Sequence, residues 1–275
     1  MNQPGLAAGP VLEAAVNYHR RGWWVTPVIG KAPVLDDWPN VQLDQEGIRR
    51  SFKDQHNVGV VLAPSGLADL DFDDPASVGA LQALRPPELE GAAMFKHGDR
   101  PHVIVKAKGV ETRRFRRADR STLLELRGEG AQTVFPPSTH ADGLPYEWVR
   151  DADPCEVEMA RLQALAATIA TVAYTSEFWH QGSRHDLALA LAGGLARRLA
   201  EDEVLRVIRA VATVAGDAEF RDREEAVATT VRRLRAGEPV TGLPTLERLA
   251  PDLAKALRSR PTSEFRPARL SWGIS

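Results

Sequence analysis

The sequence contains very little cysteine and has no long apolar run. Its single cysteine, Cys155, excludes an intramolecular disulfide and any zinc site built on four cysteines or on two cysteines and two histidines. No stretch reaches the roughly 18 apolar residues that a membrane-spanning helix needs, so we expect no membrane association. The segment Met1–Pro10 has no basic region followed by an apolar one, so we expect no signal peptide and a cytoplasmic location.

The charge shows no excess of one sign. Lys and Arg number 35 and Asp and Glu number 37, which gives a net charge of −2 and excludes a uniformly basic nucleic-acid binder. A locally basic face is still compatible with this balance. Hydrophobic residues make up 43% of the 275 residues, which is ordinary for a globular protein with a sizeable core. No Walker-type phosphate-binding loop occurs, so we expect any helicase to be a separate chain or a missing downstream region.

The pattern of apolar residues changes near Asp151. Before it, short apolar runs separated by Gly and Pro alternate with helical patterns, which predicts a mixed α+β architecture. The predicted helices here are 11–21, 45–52 and one capped by Asp74, and the predicted strands are 23–28, 58–62, 67–72, 102–106, 122–127, 132–135 and 146–149. After it, apolar spacings of three and four predict helices near 156–174, 184–199, 201–215, 220–236 and 244–257. We therefore expect an α+β domain at 1–152, a helical domain at 153–260 and a tail at 261–275.

Acidic residues alternate along one predicted strand. Asp69, Asp71 and Asp73 are separated by single apolar residues, so their carboxylates share one face of the strand at spacings of about 7 Å. Carboxylates this close repel one another unless a positive charge lies among them, and Mg²⁺ is a cation that carboxylates bind. The alternative is a strand end that runs into a helix cap, which explains Asp74 and at most Asp73.

Two later strands carry further polar residues. His102 opens one of them after a polar loop, and Glu125 and Arg127 share one face of the other. Glu125 and Arg127 are either a surface ion pair of little energetic value or a metal ligand and a phosphate contact.

Basic residues concentrate between Lys96 and Arg120. This stretch holds nine Lys or Arg and three Asp or Glu, so its net charge is 9 − 3 = +6. Such a run is either a solvated face or a contact for phosphates. Four of its arginines lie within five residues: Arg113, Arg114, Arg116 and Arg117.

Several segments, in this order, resemble the archaeo-eukaryotic primase superfamily. More narrowly, they resemble the bifunctional primase/polymerase (prim-pol) domains of plasmids, phages and other mobile elements. The segments that carry the resemblance are Asn57–Gly59, Ser65–Leu67, Asp71–Asp73, His102, Glu125–Gly128 and Pro136–Ser138. In the helical part they are 183–193, 215–223 and 237–242.

The resemblance implies a fold and an activity. The fold is an RRM-like sheet with a smaller α/β unit, followed by a helical bundle. The activity is a DNA primase/polymerase that makes primers and extends them on a single-stranded DNA template from dNTPs or NTPs. A 3′-hydroxyl attacks the α-phosphate and pyrophosphate leaves, with two Mg²⁺ or Mn²⁺ ions stabilising the attacking and leaving oxygens.

The resemblance also assigns residues. Asp71 and Asp73 match the first motif, His102 the second and Glu125 the third, so the acids are expected to hold metal and His102 to meet the triphosphate. Asp69 adds an acid before the usual pair, so Asp69 with Asp71 is an alternative metal-binding register. The further candidates are Arg127, Lys31 and His140 for the nucleotide, and the four arginines Arg113, Arg114, Arg116 and Arg117 with Arg184 and His185 for nucleic acid.

Other interpretations remain open at this stage. Ser183 with Asp186 also fits a simple helix cap, in which case Arg184 and His185 need bind nothing. The chain could be a catalytically weak replication or nucleic-acid-binding module. A metal-dependent phosphohydrolase built on His185 and Asp186 is a further alternative, although no histidine follows His185 to complete such a site.

Overall fold

The computed structural model describes residues 9–258, in which helices and antiparallel strands combine. The predicted α+β class, with helices gathered in the C-terminal part, is confirmed. The strands are β1 (Trp24–Ile29), β2 (Ala32–Pro33), β3 (Asn57–Val61), β4 (Leu67–Asp71), β5 (Ala93–His97), β6 (Arg100–Lys106), β7 (Arg113–Arg116), β8 (Thr122–Arg127), β9 (Gln132–Phe135) and β10 (Tyr146–Arg150). The helices are α1 (Pro10–Arg20), α2 (Gln45–Ser51), α3 (Pro75–Leu84), α4 (Met159–Ser176), α5 (Arg184–Leu195), α6 (Glu201–Val214), α7 (Arg221–Arg235), α8 (Leu243–Leu249) and α9 (Pro251–Arg258).

The strands form two sheets. The four-stranded sheet has the order β2-β1-β3-β9, and the six-stranded sheet has the order β10-β5-β6-β4-β8-β7. In the six-stranded sheet β4 is central and pairs antiparallel with β6 on one side and β8 on the other. The acidic strand of the sequence is therefore flanked by the strands that carry the histidine and the later acid.

The chain divides into two compact units. The first takes the chain up to Asp71 with Glu88–Arg113 and Glu125–Met159, and the second takes Phe72–Pro87, Arg114–Leu124 and the chain from Ala160 on. The expected domain division at residue 152 stays a prediction, and the expected tail 261–275 lies outside the described residues.

The first unit has a core that both sheets share. Apolar residues from β1, β3 and β9 pack with residues from β5, β6 and β10, and α1 and α2 add their apolar faces. Aromatic rings form its centre, where Phe135 contacts Tyr18, Phe95 and Trp148. The Tyr18 hydroxyl donates to the carbonyl of Pro136 at 2.6 Å, which fastens α1 to the chain just after β9.

The second unit is mostly helical, and its helix ends follow local rules. Asp74 caps α3, since its carboxylate accepts from the backbone N–H of Ala76, and Pro75 takes the first helical position. Gly216 and Gly237 follow α6 and α7 with φ of +70° and +80°, the left-handed conformation that glycine adopts without strain. Within residues 9–258 no helix is both long and apolar enough to cross a membrane.

Several elements differ from the prediction. Strands β2, β5 and β7 were not predicted: β2 is only two residues long, β5 mixes apolar and basic residues, and the Arg-rich β7 has only Phe115 facing inward. The single helix expected at 244–257 is two helices, α8 and α9. Pro251 separates them, because a proline has no backbone N–H to continue a helical ladder.

Candidate active site

Three polar side chains lie side by side across the six-stranded sheet. Asp71 on β4 pairs with His102 on β6 and with Glu125 on β8. Residues that are directly opposite in neighbouring strands present their side chains on the same face, so the three groups are immediate neighbours. All three are buried, with 8%, 7% and 8% exposed for Asp71, His102 and Glu125. The three motif residues therefore meet although 54 positions of sequence, from 71 to 125, separate the first from the last.

Asp69 lies in the protein interior, next to His102. It is fully buried, and its Oδ2 lies 2.9 Å from Nδ1 of His102 and accepts from the Thr133 hydroxyl at 2.8 Å. This contact fixes the imidazole so that Nε2 faces Oδ1 of Asp71, 3.6 Å away. Burial lowers the pKa of His102, but the negative charges of Asp69 and Asp71 outweigh it and raise that pKa above the ordinary value.

Aromatic rings hold the histidine from its other side. Phe95 of β5 pairs with His102, and the two rings stack with centroids 4.7 Å apart and planes 20° apart. Tyr146 approaches the same imidazole with its centroid at 6.2 Å. A ring fixed by stacking and by a buried carboxylate is pre-organised, since it loses little freedom when it meets a ligand.

Arg127 lies beside the acidic groups. It pairs with Asp69 in the strand register, and its guanidinium is 3.6 Å from Asp71 and 4.0 Å from Glu125. It also donates to Thr133 at 3.3 Å, while its buried Nε finds no hydrogen-bond partner within residues 9–258. Thr133 thus links Asp69 to Arg127, a role that its position in a short buried strand did not predict.

The acidic groups have the chemistry of a cation site. One ligand atom each from Asp69, Asp71 and His102 lie within 4.8 Å of one another, and Glu125 lies directly across from Asp71. Like charges directly opposite in a sheet destabilise it, so a divalent cation between them would be stabilising. The buried Oδ1 of Asp69 has no hydrogen-bond partner among the described residues, which leaves an acceptor unsatisfied next to the site. These residues fit a metal that prefers oxygen ligands.

Other predicted residues lie outside this group. Asp73 lies beyond the end of β4 and is exposed. Lys31 is exposed in the turn between β1 and β2, where its carbonyl accepts from the Gln132 amide at 2.9 Å. His140 is half-buried on the loop after β9, and its ring lies against His97 with centroids 3.9 Å apart.

The arginines of the basic stretch differ in how exposed they are. Arg114 and Arg116 are exposed on β7, while Arg113 is partly buried and burial lowers its pKa. Arg117 contacts two carboxylates, those of Asp74 at 2.8 Å and Glu177 at 2.5 Å. These ion pairs give Arg117 a structural role within the second unit.

Arg184 is also engaged within the second unit. It contacts Asp217 at 3.0 Å and also pairs with Glu219. The side chain of Asp217 is almost fully buried, and it also binds Arg223 and the indole N–H of Trp179. Burial raises the pKa of Asp217, but the hydrogen bonds from Arg223 and Trp179 outweigh burial and lower it below the ordinary value.

The start of α5 differs from a simple cap. His185 is exposed in the first turn of this helix. Ser183 makes no capping hydrogen bond there, so the cap that its position suggested does not form.

Comparison with protein families identifies the chain's relatives. The family model described as bifunctional DNA primase/polymerase, N-terminal (Prim-Pol), matches residues 15–163, which is more than half of the chain. The chain belongs to this family. Among curated proteins, none matches it. The matched range contains Asp71, His102 and Glu125, and the family's activity is metal-dependent nucleotidyl transfer with DNA and nucleotides as substrates.

Proposed function

We propose that this prim-pol protein makes DNA primers and extends them on single-stranded DNA. The observation that carries the proposal is the row of His102, Asp71 and Glu125 on three neighbouring strands, next to Arg127. Acids and bases gathered on one buried face suit a reaction that moves a nucleotidyl group from one oxygen to another. No described contact favours the non-catalytic module or the phosphohydrolase over this reaction.

Asp71 and Glu125 are the proposed metal ligands, with Mg²⁺ or Mn²⁺ as the expected ion. When bound, such an ion neutralises charge on the reacting phosphate and on the attacking and leaving oxygens. The match to the family's first motif extends the proposed ligand set to Asp73. For Asp69 we propose a positioning role through Oδ2, which binds His102 and Thr133, while its Oδ1, which has no hydrogen-bond partner among the described residues, keeps it a candidate ligand.

His102 and Arg127 are the proposed nucleotide contacts. His102 directs Nε2 away from Asp69 and toward Asp71, so an N–H on that nitrogen can donate to an anionic phosphate at the site. Arg127 brings a permanent charge to the same face, with a buried Nε that makes no hydrogen bond among the described residues. Hydrogen bonds to charged groups are worth about 1.5–3 kcal/mol, so removal of His102 should weaken nucleotide binding by roughly 10–100-fold.

The catalytic assignment is tested with matched variants in a primer-extension assay. Glu125→Gln removes a metal-ligand charge, and the expected loss of rate is at least about 100-fold, since even indirect disturbance of a metal site costs 10–100-fold. Glu147→Gln is the control, because Glu147 is an exposed residue of the same sheet. His102→Ala should mainly raise the KM for dNTP. Normal incorporation by Glu125→Gln would refute the site.

Template binding is proposed for the exposed arginines of β7. Each phosphate contact with a single strand contributes about 0.7 to the slope of log K against log salt concentration. Arg116→Gln should therefore reduce that slope by about 0.7 in a binding titration with a single-stranded oligonucleotide. Arg50→Gln is a suitable control, because Arg50 is an exposed arginine paired with Glu46 in α2. An unchanged slope in Arg116→Gln would remove β7 from the template surface.

The helical part is proposed to assist the start of a primer. To start a primer, two free nucleotides must be held together on a template without a duplex to align them. A further domain that binds the template or the first nucleotide therefore lowers the entropic barrier to initiation. A chain that ends near Asp153 is a poor test, because α3 packs against α6 within the second unit. The better variant is His185→Ala, which should reduce initiation more than extension, with His19→Ala as control. If His185→Ala reduces initiation and extension equally, or reduces neither, the proposed role of the helical part in initiation is refuted.

A further inference from the structure

A second group of metal-binding side chains lies away from the catalytic acids. His97 ends β5, and His140 and Asp142 belong to the loop between β9 and β10. Nε2 of His97 is 2.9 Å from Asp142 Oδ2, and Nδ1 of His140 is 3.0 Å from Oδ1 of the same carboxylate. One ligand atom from each residue lies within 4.8 Å of the other two. Two imidazole nitrogens therefore converge on one carboxylate.

The group differs from the catalytic site in its chemistry. His97 is buried, with 7% of its side chain exposed, whereas 46% of the Asp142 side chain is exposed. Tyr146 contacts both regions, with its ring centroid 5.3 Å from that of His97 and 6.2 Å from that of His102. The group is thus adjacent to the proposed catalytic row, but it contains two histidines and only one acid.

We propose that His97, His140 and Asp142 form a zinc site. Zinc takes histidine nitrogens at about 2.0–2.1 Å and carboxylate oxygens at about 2.0–2.2 Å in a tetrahedron, whose ligand atoms are then about 3.3 Å apart. The nitrogen–oxygen distances of 2.9–3.0 Å are already close to that edge. Side-chain adjustments on the order of an ångström would complete the three-residue set, and the exposed side of Asp142 leaves a fourth position for water.

The site would join a loop to a strand. On one side the loop is held by Asn57, whose amide donates to the carbonyl of Thr139 at 2.7 Å and accepts from its N–H at 3.0 Å. On the other side, the contacts among His97, His140 and Asp142 attach the loop to β5. Zinc there would stabilise the first unit, because a ligand that binds only the folded state raises the unfolding temperature. The same contacts without metal would be a hydrogen-bonded clamp, which is the competing explanation.

The two explanations differ in zinc affinity. The full-length protein is titrated with Zn²⁺ in excess Mg²⁺, because Mg²⁺ competes for oxygen-rich ligand sets and only weakly for imidazoles. The wild type should bind one equivalent of Zn²⁺ and unfold at a higher temperature with it. His97→Gln and Asp142→Asn should each weaken this binding by at least roughly 10–100-fold. His56→Gln, which changes a buried histidine of the first unit outside the group, should retain it.

The results decide the proposal in either direction. Asp142→Asn keeps the size of an exposed side chain, so its fold can be verified by circular dichroism even if His97→Gln fails to fold. Loss of zinc binding in folded Asp142→Asn, with retention in His56→Gln, supports the site. The zinc site is refuted if the wild type does not bind zinc, or if Asp142→Asn binds it as tightly as the wild type. The hydrogen-bonded clamp is then the explanation of these contacts.

Discussion

Two adjacent glycines of α5 should respond in opposite ways to the same substitution. A β-carbon added at Gly193 would overlap the carbonyl oxygen of Thr241 and lie 3.0 Å from its carbonyl carbon. A β-carbon at Gly194 would meet only the Leu243 side chain, at an ordinary distance of 3.6 Å. Gly193 and Thr241 belong to two of the three helical-part segments that resemble prim-pol proteins, and their close approach leaves no room for a β-carbon at position 193.

The difference in stability between Gly193→Ala and Gly194→Ala measures the energetic cost of the overlap with Thr241. Both Gly193→Ala and Gly194→Ala gain helix propensity of at most about 1 kcal/mol, so this gain cancels between them. Overpacking typically costs about 1–3 kcal/mol, and here the obstacle is backbone, which cannot rotate away. We therefore expect Gly193→Ala to be less stable than Gly194→Ala by about 1–3 kcal/mol or more.

The assay is thermal or urea unfolding of both full-length variants beside the wild type. For a chain of this size each kcal/mol corresponds to a shift in Tm of roughly 2–4 °C, so the two variants should melt several degrees apart. Gly194→Ala should melt at or above the wild type. Equal stability of the two variants would refute the close contact between α5 and Thr241.

Further predictions concern Tyr18 and Asp217. Tyr18→Phe removes the hydrogen bond to Pro136 and a partner of the Trp148 indole, so unfolding measurements should show a loss of about 1 kcal/mol, and full stability would contradict that bond. Burial raises the pKa of Tyr18 to about 12. The protonated hydroxyl therefore stabilises the fold by about 2–3 kcal/mol below about pH 10, and this contribution is lost as the pH rises from 10 to 12. Tyr18→Phe should reduce this loss of stability at alkaline pH. Asp217→Asn leaves the charge of Arg184 without its buried partner, and a cost of about 3–5 kcal/mol is expected, whereas a change below 1 kcal/mol would show that this ion pair is not structural. The lowered pKa of Asp217 stabilises the fold above about pH 4, and this stabilisation is lost as the pH falls through the pKa of the folded state. Unfolding measurements at decreasing pH should therefore show a smaller loss of stability in Asp217→Asn than in the wild type.

Local patterns predicted most of the secondary structure. Strands β8 and β9 and the start of α3 agree with the prediction to the residue, because alternation, a capping Asp and a following Pro act within a few positions. The strands that were missed are β2, which is only two residues long, and β5 and β7, whose apolar residues alternate weakly. The break between α8 and α9 has a local signal in Pro251, because proline cannot continue a helical ladder.

The candidate catalytic residues were predicted from the sequence alone. The ordered motifs that contain Asp71, His102 and Glu125 resemble one family, and the family comparison confirms that membership. Their chemistry follows from residue type, since a carboxylate or an imidazole carries its donors and charges wherever it lies.

The partners of these residues were decided only by the tertiary structure. Asp69 stays a candidate metal ligand, but only the structure shows that it is buried next to His102 and accepts a hydrogen bond from Thr133, which lies 64 positions later. Likewise Arg117 and Arg184 read as free basic residues but contact carboxylates that are 60 and 33 positions away. Pairing across such separations depends on which strands and helices pack together, and a local pattern contains no information about that packing.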